Sequence, residues 1–197
     1  SVTLTGAGDS VTVTGSNETI ATSSPATITV AGSGSSATIN GNGNAVSIVG
    51  AGDVVTLTGT GDTATISGSN ATLTTANAAT ITVTGTGSSA TINGNGDAVS
   101  IVGASDVVAL TGTGDAVTIS GSNATLTATH AATVTVTGAG SSAAVTGDGH
   151  TVVITGTSDQ VTLSGNGEVV TVGGSGNALT IRGSGDTITT SAAATIT

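Results

Sequence analysis

The sequence predicts an all-β protein, a three-sided parallel β-solenoid (β-helix) with about 27 residues per coil and about seven coils. Three observations lead there. The chain is written in nine-residue units that read apolar, Thr, apolar, Thr or Ser, Gly, then small residues with an acid or Asn, as in Val55-Thr56-Leu57-Thr58-Gly59-Thr60-Gly61-Asp62-Thr63. A longer period lies over these units: 28–80 and 81–133 match at 43 of 53 positions. No segment shows the spacing of an amphipathic helix.

Each unit contains its own strand and corner. Alternating β-branched residues followed by Gly, Asn, Asp or Ser read as a short strand and a turn. Successive side chains of a strand point to opposite faces, so the first and third residues of each unit face inward and the Thr pair faces outward. Glycine supplies the positive φ that a corner needs. A single strand of this kind cannot cover its apolar face, so the units must stack.

The number of sides is read from the irregular units. Counted from Val2, the first apolar slot is Ala at Ala37, Ala64, Ala90 and Ala143, and these unit numbers share a remainder on division by three but not by two. Three of the four eight-residue units, starting at Ile20, Leu73 and Leu126, also share one remainder, and the unit at Ile188 does not. On that register the 53-residue repeat is two coils, and Val2, Ile28, Val55, Ile81, Val108 and Val134 form one ladder. The corner after the first side then carries Asp9, Ser35, Asp62, Ser88, Asp115, Ser141 and Glu168 on successive coils. Skipping a coil would keep like charges about 9.6 Å apart, near the Debye length at 0.1 M salt.

Taken in order, 2–27 is a first coil that holds the only proline, Pro25, in a corner, where a missing N–H is tolerated. Residues 28–80 and 81–133 are the two near-identical blocks, and from Val134 the pattern loosens. No linker interrupts 1–197, so a single repeat domain is expected. Terminal strands without polar capping repeats offer edges for pairing, which makes self-association by head-to-tail stacking the expected partner contact.

Composition narrows the function. There is no Phe, Trp, Tyr, Met or Cys, so the core is Val, Ile, Leu, Ala and some Thr, and neither a disulfide nor a cysteine zinc site can form. Eleven acids stand against one basic residue, Arg182, for a net charge of −10, which leaves nothing to neutralise phosphates and argues against nucleic-acid binding. No apolar run approaches the roughly 18 residues of a membrane span. All the acids sit in corners, where they are expected to keep the solenoid soluble.

Site chemistry is sparse. Asp148-Gly149-His150 places an acid near a base without a nucleophile or oxyanion device, so no enzymatic activity is expected. His130 stands where the preceding block has Asn77, as on a tolerant surface corner. The Gly-x-Gly-Asp corners partly resemble the calcium-binding nonapeptide repeat of toxin-type β-rolls, but one acid per corner at most does not make a calcium ladder. Neither a metal nor a cofactor is expected. Asn17, Asn70 and Asn123 head sequons 53 residues apart and are candidate glycosylation sites, which would make the protein extracellular.

The outward Thr pairs are the remaining candidate. On the three-sided register the first side carries Thr3, Thr5, Thr29, Thr56, Thr58, Thr82, Thr84, Thr111, Thr135, Thr137, Thr162 and Thr189, and the second side carries Thr65, Thr91 and Thr118. Such Thr-x-Thr arrays resemble the ice-binding faces of insect and bacterial antifreeze β-solenoids, and the resemblance implies an ordered water lattice, or ice, as partner of the first side. Along its whole length the chain also resembles the Thr/Gly-rich β-solenoid repeats of secreted prokaryotic surface proteins, including adhesin stalks and extracellular fibres. That resemblance implies a structural protein at the cell surface or outside the cell, with the ice-binding reading as its alternative.

Overall fold

The computed structural model describes residues 1–197 as strands joined by corners, with no helix. Twenty-three short strands alternate along the chain between two parallel sheets of 12 and 11 strands. Sheet I begins with Val2–Leu4, Glu18–Thr22 and Ser36–Asn40, and sheet II with Ser10–Val13, Thr27–Val30 and Ala45–Ile48. The solenoid is therefore a parallel all-β coil, as the repeats imply.

Its cross-section differs from the expectation. Thr27 pairs with Ala45 and Ala45 with Thr63, while corner bonds join residues 18 apart, so each coil has two sides and about 18 residues. About eleven such coils are stacked, where about seven three-sided coils of about 27 residues were expected. The 53-residue block is six units and so three coils. Six is divisible by both two and three, so copies of one irregular unit keep a common remainder under either count. Ala37, Ala90 and Ala143 are one position repeated, as are Ile20, Leu73 and Leu126, and only Ala64 pointed to three sides. The expected single ladder is split: Val2, Val55 and Val108 lie in sheet I, and Ile28, Ile81 and Val134 in sheet II.

The apolar residues of the two sheets meet face to face in one cluster of 41 buried side chains running from Val13 to Leu179. Ile28, Ile48, Ile66, Ile81, Ile101 and Ile119 are fully buried, each contributing on the order of 1.5–3 kcal/mol. Of 123 backbone hydrogen bonds, 53 lie outside the strands, so the corners stack as ladders too. Glycine is required where they stack closely: a Cβ at Gly59 would collide with the carbonyl of Gly41 in the coil below.

The sheets differ in regularity. Sheet II holds its facing pairs in register from Ser10↔Thr27 to Val169↔Thr187. Sheet I slips at three places, pairing Glu18 with Ala37, Ala71 with Ala90 and Ala124 with Ala143, 19 residues apart where its other pairs are 18 apart, or 17 at Asn177↔Ala194. Backbone N–H groups of Asn17, Asn70 and Asn123 donate to Ser36, Ser89 and Ser142 Oγ across these slips.

Candidate functional site: the outer faces and the corner ladders

Sheet II presents one unbroken outward column: Thr12, Thr29, Ser47, Thr65, Thr82, Ser100, Thr118, Thr135, Val153, Thr171 and Thr189. Strict register makes this column straight, with a hydroxyl on every coil but one. A second column beside it carries Thr27, Thr63, Thr80, Thr133, Thr151 and Thr187, with Ser10, Ala45, Ala98, Ala116 and the exposed Val169 in the other places. No charged side chain interrupts either column.

This geometry divides the twelve candidate ice-binding residues. Thr29, Thr82, Thr84, Thr135, Thr137 and Thr189 belong to sheet II or its margin, and Thr3, Thr5, Thr56, Thr58, Thr111 and Thr162 to sheet I, on the opposite side of the core. They do not form one face. Thr65 and Thr118, assigned by sequence to another side, stand in the column of Thr82 and Thr135, while Thr91 lies on sheet I. A unit count that changes parity moves a residue to the other sheet, which is why every second coil was misplaced.

Asn17, Asn70 and Asn123 are exposed at sheet II to sheet I corners, with φ of 62°, 55° and 55°. Gly52 and Gly61 take the same left-handed conformation in other corners, and Asn is among the few residues with a Cβ that enter it readily. The sequons thus have a structural origin in the turn. Three shallow depressions of 310, 280 and 310 Å³ lie beside these asparagines, at the slips of sheet I.

The corner acids do not form the expected solvent-facing array. Asp53, Asp62, Asp97, Asp106, Asp115, Asp159 and Glu168 are all buried. The alternating column of acids and serines is also divided, because Asp62, Asp115 and Glu168 lie where sheet I turns into sheet II and Ser35, Ser88 and Ser141 at the opposite corner. Acids do not avoid adjacent coils, since Asp97 N–H donates to Asp115 Oδ1 at 3.0 Å. Each buried acid points into the solenoid and accepts a backbone N–H from the coil below, as from Ser35 to Asp53 (2.9 Å), Asn44 to Asp62 (2.8 Å) and His150 to Glu168 (3.0 Å).

Burial raises the carboxyls of Asp62, Asp97, Asp115 and Asp159 above the ordinary range, against the lowering effect of the N–H bonds they accept. Glu168 is pushed up to about 7, first by burial and then by Asp186 and Asp148. His150 is buried, with Ala132 N–H donating to its Nδ1 at 3.1 Å, and burial lowers its pKa. Asp148 is exposed and accepts from Asn166 N–H, so this acid and His150 do not meet as a pair. His130 is exposed, with Nδ1 against the Thr111 carbonyl. No three His, Asp or Glu side chains converge on one point, and no helix is long and apolar enough to cross a membrane. Comparison with family models, with curated proteins and with solved structures finds no match.

Proposed function

We propose that this chain is a structural element, an extracellular β-solenoid that forms a fibre, a filament subunit or an adhesin stalk by stacking coil upon coil. The supporting observation is the continuity of the ladder: both sheets and both corners pass hydrogen bonds from each coil to the next along the whole described length. A parallel ladder adds a coil through the bonds it already makes, whether that coil comes from the same chain or from a second copy. Eleven strands at about 4.8 Å span roughly 50 Å, a stiff spacer of fixed width. Electron microscopy of purified protein, with light scattering over a concentration series, tests this. Rods that lengthen at constant width are expected. Protein that stays monomeric at high concentration, together with no longer parent chain in mass spectrometry of the source, overturns it.

The straight hydroxyl column of sheet II favours a second reading, ice binding, because an ordered water layer needs a flat, regular and neutral array. Under this reading Thr65→Lys, Thr82→Lys and Thr118→Lys together abolish thermal hysteresis, while Thr56→Lys and Thr91→Lys on sheet I leave it unchanged. Absence of hysteresis in the unmodified protein removes this reading.

A further inference from the structure

The inward corner positions share one chemical demand. At the sheet II to sheet I corner, Ser88 Oγ donates to the carbonyls of Thr84 (2.5 Å) and Ser67 (3.2 Å), and Ser141 Oγ to those of Thr137 (2.7 Å) and Ser120 (3.2 Å). Asn177, one coil beyond Asp159 on this ladder, donates Nδ2–H to the carbonyls of Gly174 (2.9 Å) and Gly156 (3.1 Å) while its Oδ1 accepts Asp159 N–H (2.8 Å). At the other corner Asn44 does the same, its Nδ2 donating to the Gly41 carbonyl (3.1 Å) and its Oδ1 accepting Ala26 N–H (3.2 Å). Ser88, Ser141, Asn177 and Asn44 each supply a hydrogen to carbonyl oxygens of the corner.

The aspartates stacked on these residues supply none while ionised. Asp62 lies one coil above Asn44 and accepts its N–H through Oδ1, and Asp159 likewise accepts Ser141 N–H. The second oxygen of each, Oδ2, is buried and has no partner, as is also so in Asp53 and Asp106. A Cβ built on Gly156 would collide with both Asp159 Oδ2 and the Gly138 carbonyl, so this orphaned oxygen and the corner carbonyl crowd the same glycine. An anionic oxygen crowded beside a carbonyl oxygen in a dry corner, as at Asp159, is unfavourable twice over, by desolvation and by repulsion. Asp62 takes the inward place that Asn44 fills one coil below with a donor to the Gly41 carbonyl. A proton on Oδ2 converts the acid into a shape-match for asparagine.

We propose that Asp62 and Asp159 are carried as neutral acids, each donating an Oδ2 proton to a corner carbonyl, so that the solenoid takes up protons as it folds and is hardened by acid. No charged side chain sits next to either on its ladder: Asp62 stacks between Asn44 and Ala79, and Asp159 between Ser141 and Asn177. At the far ends of the flanking strands the titratable groups are Asp53 for Asp62, and His150 and Glu168 for Asp159. The direction of the shift at both acids, upward through burial, agrees with this geometry. A bound cation is a poor substitute, because a carboxylate oxygen and corner carbonyls fall short of the roughly six to eight oxygens that calcium takes, and the oxygen is closed to water.

The test uses the full chain with carbon-13 in its aspartate carboxyls. Asp62 and Asp159 are expected to keep the neutral-acid signal at pH 6, about two units above the midpoint of an ordinary aspartate near 3.9. The variant D62N/D159N is expected to melt no lower than the parent at pH 7 and to lose part of the parent's decline in melting temperature between pH 4 and pH 7. Carboxyl signals that titrate near pH 4 overturn the proposal. So does an asparagine variant that melts lower at pH 7, or a parent melting temperature that falls on adding a chelator, which would place a metal ion in the slot.

Discussion

Glu168 shows how a single corner side chain couples the fold to pH. Its Oε2 accepts His150 N–H, while Oε1 is buried without a partner. Its carboxyl is raised from 4.5 to about 7, so between those values the folded chain holds a proton that the unfolded chain releases. The stability it contributes is full below about 4.5 and is lost as pH rises through about 7. Gln in its place keeps the donor at all pH values. E168Q should therefore melt with the parent below pH 4.5 and above it at pH 8. A gap that does not change with pH would show that Glu168 is not protonated in the fold. His150 acts in the opposite sense, since burial lowers its pKa and the neutral ring must be charged on unfolding in acid. Its contribution is present above about 6.5 and declines as pH falls below that value. H150N, which restores the asparagine found at Asn44 in the equivalent place, should gain melting temperature on the parent between pH 7 and pH 5, and equal losses in both proteins would reject this account. The H150N background is also where E168Q is best read, because there the two titrations do not mask one another. The inward direction of these acids was legible in the sequence. Asp53, Val55 and Leu57 alternate on one side, as do Asp62, Ala64 and Ile66, and strand parity continues into the corner. What hid it is composition, because Gly-x-Gly-Asp reads as a polar turn. The decisive signal is the replacement of Asn44 by Asp97 and then His150 at intervals of one block, a substitution series of groups that accept a backbone N–H.

At the scale of the coil, the strands follow from alternation and the corners from close stacking. Gly59 and Gly61 separate two roles of glycine in one corner. Gly61 has φ of 69° and open space around its missing Cβ, so G61A costs only the left-handed penalty of about 1–2 kcal/mol. At Gly59 the added carbon meets the Gly41 carbonyl, a backbone atom that cannot swing aside. G59A should therefore destabilise by at least about 2 kcal/mol more than G61A, in the range of severe core substitutions. Chemical denaturation of the two variants measures this, and equal losses would mean that coil spacing is not set by the glycine contact. The strand and the corner were both readable from single units. Which outer residues share a face was not, because every unit looks alike, and a face is defined only once alternate units are known to belong to different sheets. Thr82 and Thr56 sit in closely similar local sequence, Ile81-Thr82-Val83-Thr84-Gly85-Thr86-Gly87 and Val55-Thr56-Leu57-Thr58-Gly59-Thr60-Gly61, yet they lie on opposite sides of the core.

For the whole molecule, the relation between the long repeat and the coil is the property that sequence could not fix. A block of six units closes as three two-sided coils or as two three-sided ones, and the two differ in length. Hydrophobic burial is satisfied by either, since every unit offers the same inward pair. The two-sided form is the one observed, and it lets the side chains of one sheet fill the spaces of the other without the large aromatic residues that a wider core would need. Removal of one whole block, 81–133, joins Thr80 to Val134; Thr80 keeps Thr63 and Val134 keeps Val152 as ladder partner. The lost partners Ala98 and Val117 are replaced by equivalent positions, because Ile81 and Val134 occupy the same place in sheet II. The shortened chain should fold with the same circular dichroism per residue and the same cross-section. Its rod should be shorter by three strand spacings, about 14 Å, rather than by the two spacings, about 10 Å, of a three-sided coil. Small-angle X-ray scattering of parent and deletion variant at equal concentration distinguishes these values, and a shortening of two spacings would reject the 18-residue coil. Because a ladder adds or loses whole coils without altering the rest, the same measurement also asks whether length is a freely adjustable quantity in this architecture, as a spacer requires. A deletion variant that unfolds would show instead that the blocks depend on one another beyond their shared edges, and would count against the spacer reading.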